Sequence, residues 1–331
     1  MDPNFPLLDL HHHLDGSVRI ETILDLGHKH NLPLPAWDIE GLRPYVQVTE
    51  PQPGLLAFFT YFKWMTGVLV DYDACRRVAY ENVEDARNEG IDYIELRFSP
   101  FFMAEANQLA PEGLMEAVVQ GVQDGIRDTG VKANIIGILS RHLGVDTAWK
   151  ELEAILSQRD HVAAIDLAGD EANFPGNWFV EHIHKARQAG LEVTIHAGEA
   201  DGPESVWQAI RDLETRRLGH ATRAIEDPTL VAYLAENRIG VEVSLTSNVQ
   251  TETVPDYASH PLRSYLEHGI LATINTDDPG ISGIDLPHEY TVAAPAAGLS
   301  PEQIIQAQHN ALEIAFLSPT EKEELLQRER S

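Results

Sequence analysis

Short apolar runs recur along the chain, and each is followed by a longer segment in which apolar residues show helical spacing. The runs are rich in Val, Ile and Leu and do not alternate strictly with polar residues. That composition is typical of strands buried on both faces of a parallel sheet. The pattern therefore predicts strands within residues 6–11, 91–98, 133–140, 162–169, 191–197, 215–221, 239–245 and 270–276.

The segments between these runs carry helix signals. One helix is predicted over 73–90, with Asp73 as its N-cap and Gly90 at its C-terminal end; another over 111–130 opens with Pro and closes with Gly. Eight strands alternating with helices predict a (β/α)8 barrel, the TIM barrel. A doubly wound open sheet is the alternative, but no G-x-G-x-x-G turn follows any run.

The chain has no internal repeat, low-complexity tract or linker. Its length of 331 residues suits one large domain, and we expect a single domain over 1–331. The stretch 17–90, between the first and second predicted strands, is expected to be a helical insertion that includes a lid over the site.

Composition narrows the classes of function. A hydrophobic content of 43% and a charged content of 23% are those of a globular protein, and the net charge of −28 disfavours binding to nucleic acid or anionic membranes. Cys75 is the only cysteine, which predicts a reducing, cytoplasmic location without an internal disulfide. The sequence shows no signal-peptide pattern, and no run approaches the roughly 20 apolar residues of a membrane span.

Polar and titratable side chains gather at the predicted C-terminal ends of the strands, where such a barrel carries its chemistry. Because strand side chains alternate between faces, His11 and His13 are expected to face the barrel interior while His12 points outward. The triplet alone is typical of a polar strand end without a metal. The other strand-end residues favour a metal site; they are Asp15, Gly169, Asp170, Glu171, His196, Glu199, His220, Thr246, Ser247, Asn248, Asp277 and Asp278.

Three imidazoles and a carboxylate among these residues form a donor set that suits Zn²⁺. His11, His13 and His196 would supply the nitrogens, and one aspartate from the end of the eighth strand would supply the oxygen. The remaining histidines lack partners at strand ends, and we interpret them as ordinary surface or core residues. They are His28, His30, His142, His161, His182, His184, His260, His268, His288 and His309.

The motifs HHHLDG, RFSP, DLAGDE, HAGE, GHA, SLTSN and NTDDPG, in this order, resemble those of the adenosine deaminase family over nearly the whole chain. The resemblance implies a (β/α)8 barrel with one Zn²⁺ per chain. It also implies hydrolysis of the 6-amino group of adenosine and 2′-deoxyadenosine, which gives inosine or 2′-deoxyinosine and ammonia. The partner would be a small-molecule purine nucleoside.

The resemblance assigns catalytic roles to individual residues. Glu199 would be protonated and donate to N1 of the purine, which makes C6 a better electrophile. His220 would orient the attacking water, whose pKa the metal lowers, and Asp278 would accept or share a proton with N7. The residues that would hold the zinc are His11, His13, His196 and Asp277.

The resemblance also assigns substrate contacts. The backbone N–H of Gly169 would bond N3, and Asp15 would bond the ribose 5′-hydroxyl, although Asp15 could instead cap a helix that begins near Arg19. Phe58 and Phe59 on the insertion would form an apolar lid, although their helical spacing suits a core position equally well.

Some features depart from the family or favour other functions. Ala221 replaces the usual Gly, which is harmless at negative φ but costs roughly 1–2 kcal/mol in the left-handed region.

Deamination of free adenine is the nearest alternative; those relatives carry Glu where this chain has Asp15, and the shorter side chain leaves room for ribose. A binuclear amidohydrolase would need a lysine where the chain reads DLAGDE, whose Asp170 and Glu171 we interpret as turn supports. A barrel that binds without catalysis is a remote alternative.

Overall fold

A computed structural model of the chain describes residues 1–327. Within them the apolar runs form parallel strands, and every predicted strand position is occupied. The fifth predicted strand is interrupted at Thr194 and so consists of two short pieces. The strands are β1 Leu8–His13, β2 Tyr93–Phe98, β3 Lys132–Ser140, β4 Ala164–Ala168, β5 Glu192–Val193, β6 Ile195–Ala197, β7 Arg217–His220, β8 Gly240–Val243 and β9 Leu271–Ile274.

The strands follow one another around a ring. Hydrogen bonds join β1 to β5 in sequence order and β6 to β9 in sequence order. Thr194 connects the two groups, and its N–H donates to the carbonyl of Ile165 at 3.0 Å. Asp277, just after β9, pairs with His12 of β1 in a parallel bridge, with its N–H 2.8 Å from the His11 carbonyl. The chain is therefore a (β/α)8 barrel, as predicted.

Helices surround the ring and cover its outer face. The first five lie in the predicted insertion between β1 and β2: Ile20–His30, Ile39–Val46, Leu55–Phe58, Phe62–Gly67 and Tyr72–Asn88. The later ones are Pro100–Glu105, Pro111–Thr129, Val145–Ser157, Val180–Gln188, Pro203–Arg211, Pro228–Glu236, Leu245–Gln250, Leu262–Glu267, Pro279–Ser282, Leu286–His288, Ala294–Ala296, Pro301–Ile314 and Pro319–Gln327. A π-helix spans Glu289–Ala293, and 3₁₀ turns span Phe59–Tyr61, Arg141–Leu143, Arg159–His161, Gly176–Phe179, Thr222–Glu226 and Tyr257–Ser259.

The predicted helix over 73–90 has a different start. Its N-cap is Asp71, whose side chain accepts from the N–H of Ala74 at 2.8 Å, so the prediction of Asp73 as cap is wrong. Asp73 instead lies in the first helical turn, where its charge is favourable beside the helix N-terminus. The predicted single domain over 1–331 stays a prediction, and residues 328–331 lie outside the described part of the chain.

The barrel interior below the strand ends is charged rather than apolar. Arg97, Glu95, Asp166, Arg217 and Glu242 are all buried there, and they pair with one another. Buried charges are stable only when each has partners, and here the arginines neutralise the carboxylates.

Among residues 1–327, no helix is long and apolar enough to cross a membrane.

Candidate active site

A cavity opens at the C-terminal ends of the strands. One side consists of titratable strand-end residues and the other of aromatic side chains. No Lys or Arg is among its lining residues within the described part of the chain. The lining residues are His13, Asp15, Phe58, Phe59, Phe62, Ser99, Phe102, Ile138, Ser140, His142, Ala168, Gly169, His196, Glu199, His220, Ser247, Thr251, Asp277 and Asp278.

The three consecutive histidines divide between two faces of β1. His11 and His13 lie beside Asp277, with their Nε2 atoms 3.2 Å and 3.3 Å from its Oδ1. His12 faces the surrounding helices, where its Nε2 lies 3.0 Å from Oδ1 of Asn82. The predicted alternation is confirmed, although the pairing of β1 with β2 is irregular between Asp9 and His12.

Buried carboxylates orient two of the strand-end histidines. Glu242 Oε2 lies 2.7 Å from Nδ1 of His11, and Asp166 Oδ2 lies 2.8 Å from Nδ1 of His196. Arg97 bridges the two carboxylates, at 2.8 Å from Asp166 and 2.7 Å from Glu242. Because Nδ1 of each imidazole faces a carboxylate, its Nε2 is left with a lone pair directed to the centre, which is how metal-binding histidines are held.

The donors at the centre fit a zinc ion. Nε2 of His11 is buried and has no hydrogen-bond partner within the described residues. Burial lowers the pKa of His11 and lowers that of His196 to about 3, so both imidazoles are in the neutral form that binds metal. Neutral imidazoles with one carboxylate are a set that zinc prefers.

A group of four side chains offers ligand atoms that all lie within 4.8 Å of one another: His11, His196, His220 and Asp277. This group includes His220 in place of the predicted His13. His13 is nevertheless at the same centre, since its Nε2 is 3.3 Å from Asp277 Oδ1 and its Nδ1 is 3.6 Å from Asp15 Oδ1. The site thus contains four imidazoles, whereas a set of four ligands that includes Asp277 needs only three of them.

Glu199 is a buried carboxyl at the cavity surface. Burial raises its pKa to about 7, against the opposing effect of His220, whose Nε2 lies 3.7 Å from Glu199 Oε2. A carboxyl with this pKa keeps its proton near neutral pH and can donate it to a bound base.

The loop that carries Glu199 is fixed by the side chain of Glu171. Its carboxylate accepts the backbone N–H groups of Gly198 at 2.6 Å, Glu199 at 3.1 Å, Ala200 at 2.9 Å and Asp201 at 3.1 Å. Hydrogen bonds to a charged acceptor are stronger than neutral ones, so Glu171 holds Glu199 in place from below.

Asp278 and Asp15 lie on the far side of the cluster. Burial raises the pKa of Asp278 well above its usual range, and its Oδ1 has no hydrogen-bond partner within the described residues. The carboxyl fits there because Gly16 has no side chain: a Cβ at Gly16 would lie 1.8 Å from Asp278 Oδ1. Asp15 accepts the N–H of Ser99 at 3.3 Å, so the suggestion that it caps a helix near Arg19 is wrong; no side chain caps that helix.

The aromatic side of the cavity comes from the insertion and from the helix after β2. Phe59 contacts Phe62 and His142, with ring centroids 6.0 Å and 5.7 Å apart, and Phe62 contacts Phe102 at 5.5 Å. Phe58 is 1% exposed and also touches the cavity, so it belongs to the core and to the wall together. Such a surface suits a flat aromatic ligand.

Backbone conformation is unusual at three residues at the strand ends of the site. His220, Ala221 and Asp277 have φ of 62°, 48° and 71°. Ala221 is thus in the left-handed region, where its methyl group costs roughly 1–2 kcal/mol. Its carbonyl accepts the hydroxyl of Tyr265 at 2.6 Å, which helps to hold this conformation.

Comparison with known proteins agrees with this geometry. The family model described as adenosine deaminase matches residues 6–329. A relative called adenosine deaminase from Vibrio parahaemolyticus is 61% identical over 322 residues, covering 97% of this chain and 96% of that protein. The chain belongs to the adenosine deaminase family. Its predicted membership is thereby confirmed.

Solved structures of other proteins share the fold. An adenine deaminase from Arthrobacter aurescens is similar with a TM-score of 0.90 and 26% identity, covering 97% of both chains. A Burkholderia ambifaria amidohydrolase with bound Zn has a TM-score of 0.87 and 25% identity, covering 97% of this chain and 88% of that one. The fold of this chain is therefore one that solved structures of other proteins already show.

Three residues near the site have more contacts than sequence reasoning assigned them. Glu171 was interpreted as a turn support, yet it binds the loop that carries Glu199. His142 lines the cavity, so its interpretation as an ordinary surface or core residue is wrong. His260 is a buried core residue, as that interpretation allows, and it bonds Asn248 behind His220. The signal for Glu171 is its position in the DLAGDE motif at a predicted strand end. Nothing in the sequence distinguishes His260 from the other isolated histidines.

Proposed function

We propose that this chain catalyses the hydrolytic deamination of adenosine and 2′-deoxyadenosine to inosine and 2′-deoxyinosine, with release of ammonia. The observation that carries the proposal is Glu199, a buried carboxyl with a pKa of about 7 that faces the histidine and aspartate cluster across one cavity. Hydrolysis at C6 of a purine needs a proton donor beside a site that activates water. Family membership over nearly the whole chain supports the same reaction.

The proposal includes one zinc ion per chain, held by His11, His13, His196 and Asp277. It is supported by the orphaned Nε2 of His11, the short distances to Asp277 and the Zn bound in the Burkholderia neighbour. When bound, zinc would supply the Lewis acidity that makes water a nucleophile near neutral pH. Metal analysis should find one zinc per chain; no zinc, or two tightly bound ions, would contradict this site.

The protein side chains would then move the protons of the reaction. Glu199 would donate its proton to N1 while water adds to C6, so the π electron pair of the N1=C6 double bond moves to N1 and the ring stays intact. Asp278, whose pKa burial raises well above its usual range, would share a proton with N7. His220 would orient the oxygen that adds to C6. The C6–amino bond then breaks, and the amino group leaves as ammonia with one proton from the water. The second proton of the water returns to Glu199 as the C6 hydroxyl becomes a carbonyl.

The same proposal assigns the substrate contacts. The N–H of Gly169 would bond N3; Gly is needed there because φ is 101° and a Cβ would lie 2.6 Å from Nδ1 of His142. Phe58 and Phe59 would cover the base, and Asp15 would bond the ribose 5′-hydroxyl. A 5′-phosphate would meet the carboxylate of Asp15 without a cation among the cavity's described lining residues, so nucleotides should be poor substrates.

A panel of purines tests the reaction directly. Metal-replete protein should release ammonia from adenosine and 2′-deoxyadenosine, more slowly from adenine, and least from AMP. Asp15→Ala should lower kcat/KM for adenosine by about 10-fold or more, since a hydrogen bond to a charged group contributes roughly 1.5–3 kcal/mol, and should affect adenine less. Equal losses with adenosine and adenine would remove Asp15 from ribose recognition.

Deamination of free adenine is the second candidate. The observation that favours it is the similarity to an adenine deaminase, with a TM-score of 0.90. A higher kcat/KM for adenine than for adenosine in the same panel would select this function. A cytoplasmic location and a role in purine salvage remain predictions from sequence.

A further inference from the structure

A chain of buried hydrogen bonds leads from the start of the helix Leu262–Glu267 to His220. The backbone N of Leu262 lies 3.1 Å from Nδ1 of His260, and Nε2 of His260 lies 3.2 Å from Oδ1 of Asn248. Nδ2 of Asn248 then lies 3.0 Å from Nδ1 of His220. Asn248, His260 and His220 are 0%, 4% and 1% exposed, so water cannot readily substitute for any of these partners.

The donor-to-acceptor direction of these hydrogen bonds is set at Leu262, the end farthest from His220. The N–H of Leu262 is in the first turn of its helix, where it has no carbonyl partner within the helix and can only donate. Nδ1 of His260 must therefore accept, and burial lowers the pKa of His260 to about 3, which keeps the ring neutral. A neutral imidazole that accepts at Nδ1 carries its hydrogen on Nε2.

The same reasoning continues to the active site. Nε2–H of His260 donates to Asn248, so the atom of Asn248 that faces it is the carbonyl oxygen. The amide nitrogen then faces His220 and donates to its Nδ1. We propose that Asn248 and His260 are positioning residues that fix His220 as the tautomer with hydrogen on Nε2. This inference rests on the proposed function for its catalytic meaning, but not for the tautomer itself.

The tautomer determines what His220 can do. Its Nε2 lies 3.7 Å from Glu199 Oε2 and 3.8 Å from Asp277 Oδ2, between the proton donor and the metal-side carboxylate. An Nε2–H directed there donates a hydrogen bond to the oxygen that adds to C6. It has no lone pair with which to bind a metal. His220 is thereby excluded from the ligand set, although its position alone would admit it, and His13 is left as the third imidazole.

Asn248→Asp is the variant that should reverse the direction of the hydrogen bond between residue 248 and His220. A carboxylate at this position still accepts from His260, but it also requires a hydrogen on Nδ1 of His220. In metal-replete protein with ¹⁵N-labelled histidine, NMR should show Nε2–H with bare Nδ1 for His220 in the wild type, and Nδ1 protonated in the variant. We expect kcat with adenosine to fall by about 100-fold or more, as when one preorganised donor is removed, with KM changed by less than about threefold.

A matched pair at His260 separates positioning from packing. Gln at this position retains a donor near the site of Nε2, whereas Leu fills similar space without one. His260→Gln should keep kcat within about 5-fold of the wild type, and His260→Leu should lose about 30-fold or more. Thr253→Val is the control, because Thr253 donates to the backbone carbonyl of Asn248 at 3.0 Å but stands outside the chain. It should keep both kcat and the NMR pattern.

Particular outcomes would overturn the inference. A wild-type His220 with hydrogen on Nδ1 would do so by spectroscopy alone, whatever the activity. Full activity in both Asn248→Asp and His260→Leu, with zinc content unchanged, would also do so. Wild-type protein that shows the Nε2–H tautomer but deaminates no purine would instead contradict the proposed function and leave the hydrogen-bond chain established.

Discussion

Two sides of the cavity differ in how they are built. The floor, which we define as His11, His13, His196, Glu199 and Asp277, stands on strand ends and on buried carboxylates beneath them. The wall, which we define as Phe58, Phe59, Phe62 and Phe102, comes from helices and is held by ring contacts of 5.5–6.3 Å.

The two sides differ in how strongly their contacts depend on direction. A hydrogen bond from an imidazole N–H to a carboxylate fixes an angle as well as a distance, so the floor is set for one arrangement of atoms. Ring contacts are weakly directional and tolerate small shifts. Floor substitutions are therefore expected to change kcat, and wall substitutions are expected to change KM.

The largest effect is expected from Glu199→Gln. The amide cannot donate a proton to N1, so kcat should fall by about 1,000-fold, within the range for general acid catalysis, while zinc remains bound. In the wild type, kcat/KM should fall as pH rises through about 7, because the carboxyl then loses its proton. Steady-state kinetics across pH and metal analysis check both statements. Near-normal turnover in Glu199→Gln would exclude this residue from proton transfer.

Glu171→Gln tests the support beneath the floor. A neutral amide offers only one acceptor to the backbone N–H groups that the carboxylate now binds, so the loop with Glu199 should shift. We expect kcat to fall about 10–100-fold, as for other outer partners of catalytic groups, with KM nearly unchanged. The matched control is Asp170→Asn, since within the described residues the Asp170 side chain bonds only Asn173 in its own turn. Equal losses in the two variants would assign the effect to charge near the site rather than to the loop.

The floor was more predictable from sequence than its supports. Alternation along β1 placed His11 and His13 on one face, and the parallel barrel brought His196, Glu199 and Asp277 to the same rim. These relations depend only on strand period and strand order. The geometry leaves the catalytic roles as predictions.

The supports depend on where loops end in space. Glu171 reaches a loop 27 to 30 residues away, and His260 reaches Asn248 across a turn. Neither contact has a fixed spacing in sequence, so neither could be predicted from a pattern. The same holds for Ala221, whose left-handed conformation is accompanied by a hydrogen bond from Tyr265, 44 residues away.

Phe59→Ala tests the wall. Phe59 is partly exposed to the cavity, so its loss removes contact area for the base without opening the core. We expect KM for adenosine to rise about 10-fold, from the roughly 1.5–3 kcal/mol that burying a Phe side chain contributes, with kcat within about twofold. Leu56→Ala, at a 60% exposed position on the preceding helix Leu55–Phe58, is the control and should change neither. A fall in kcat as large as that of Glu171→Gln would mean that wall and floor are not separable.

The smallest effect on catalysis is expected from His12→Ala. This side chain is buried beneath the helices, where Nε2 lies 3.0 Å from Asn82 Oδ1 and Nδ1 lies 3.1 Å from Thr276 Oγ1. Its removal should lower the free energy of unfolding by about 1–3 kcal/mol, because buried polar groups lose their partner. Zinc content and kcat should stay within about twofold of the wild type, whereas His13→Ala should lose both, since an outer partner alone can be worth 10–100-fold in metal affinity. Denaturant unfolding, metal analysis and kinetics on the two variants decide the matter. If His12→Ala lost the zinc and His13→Ala kept it, the assignment of the two faces of β1 would have to be reversed.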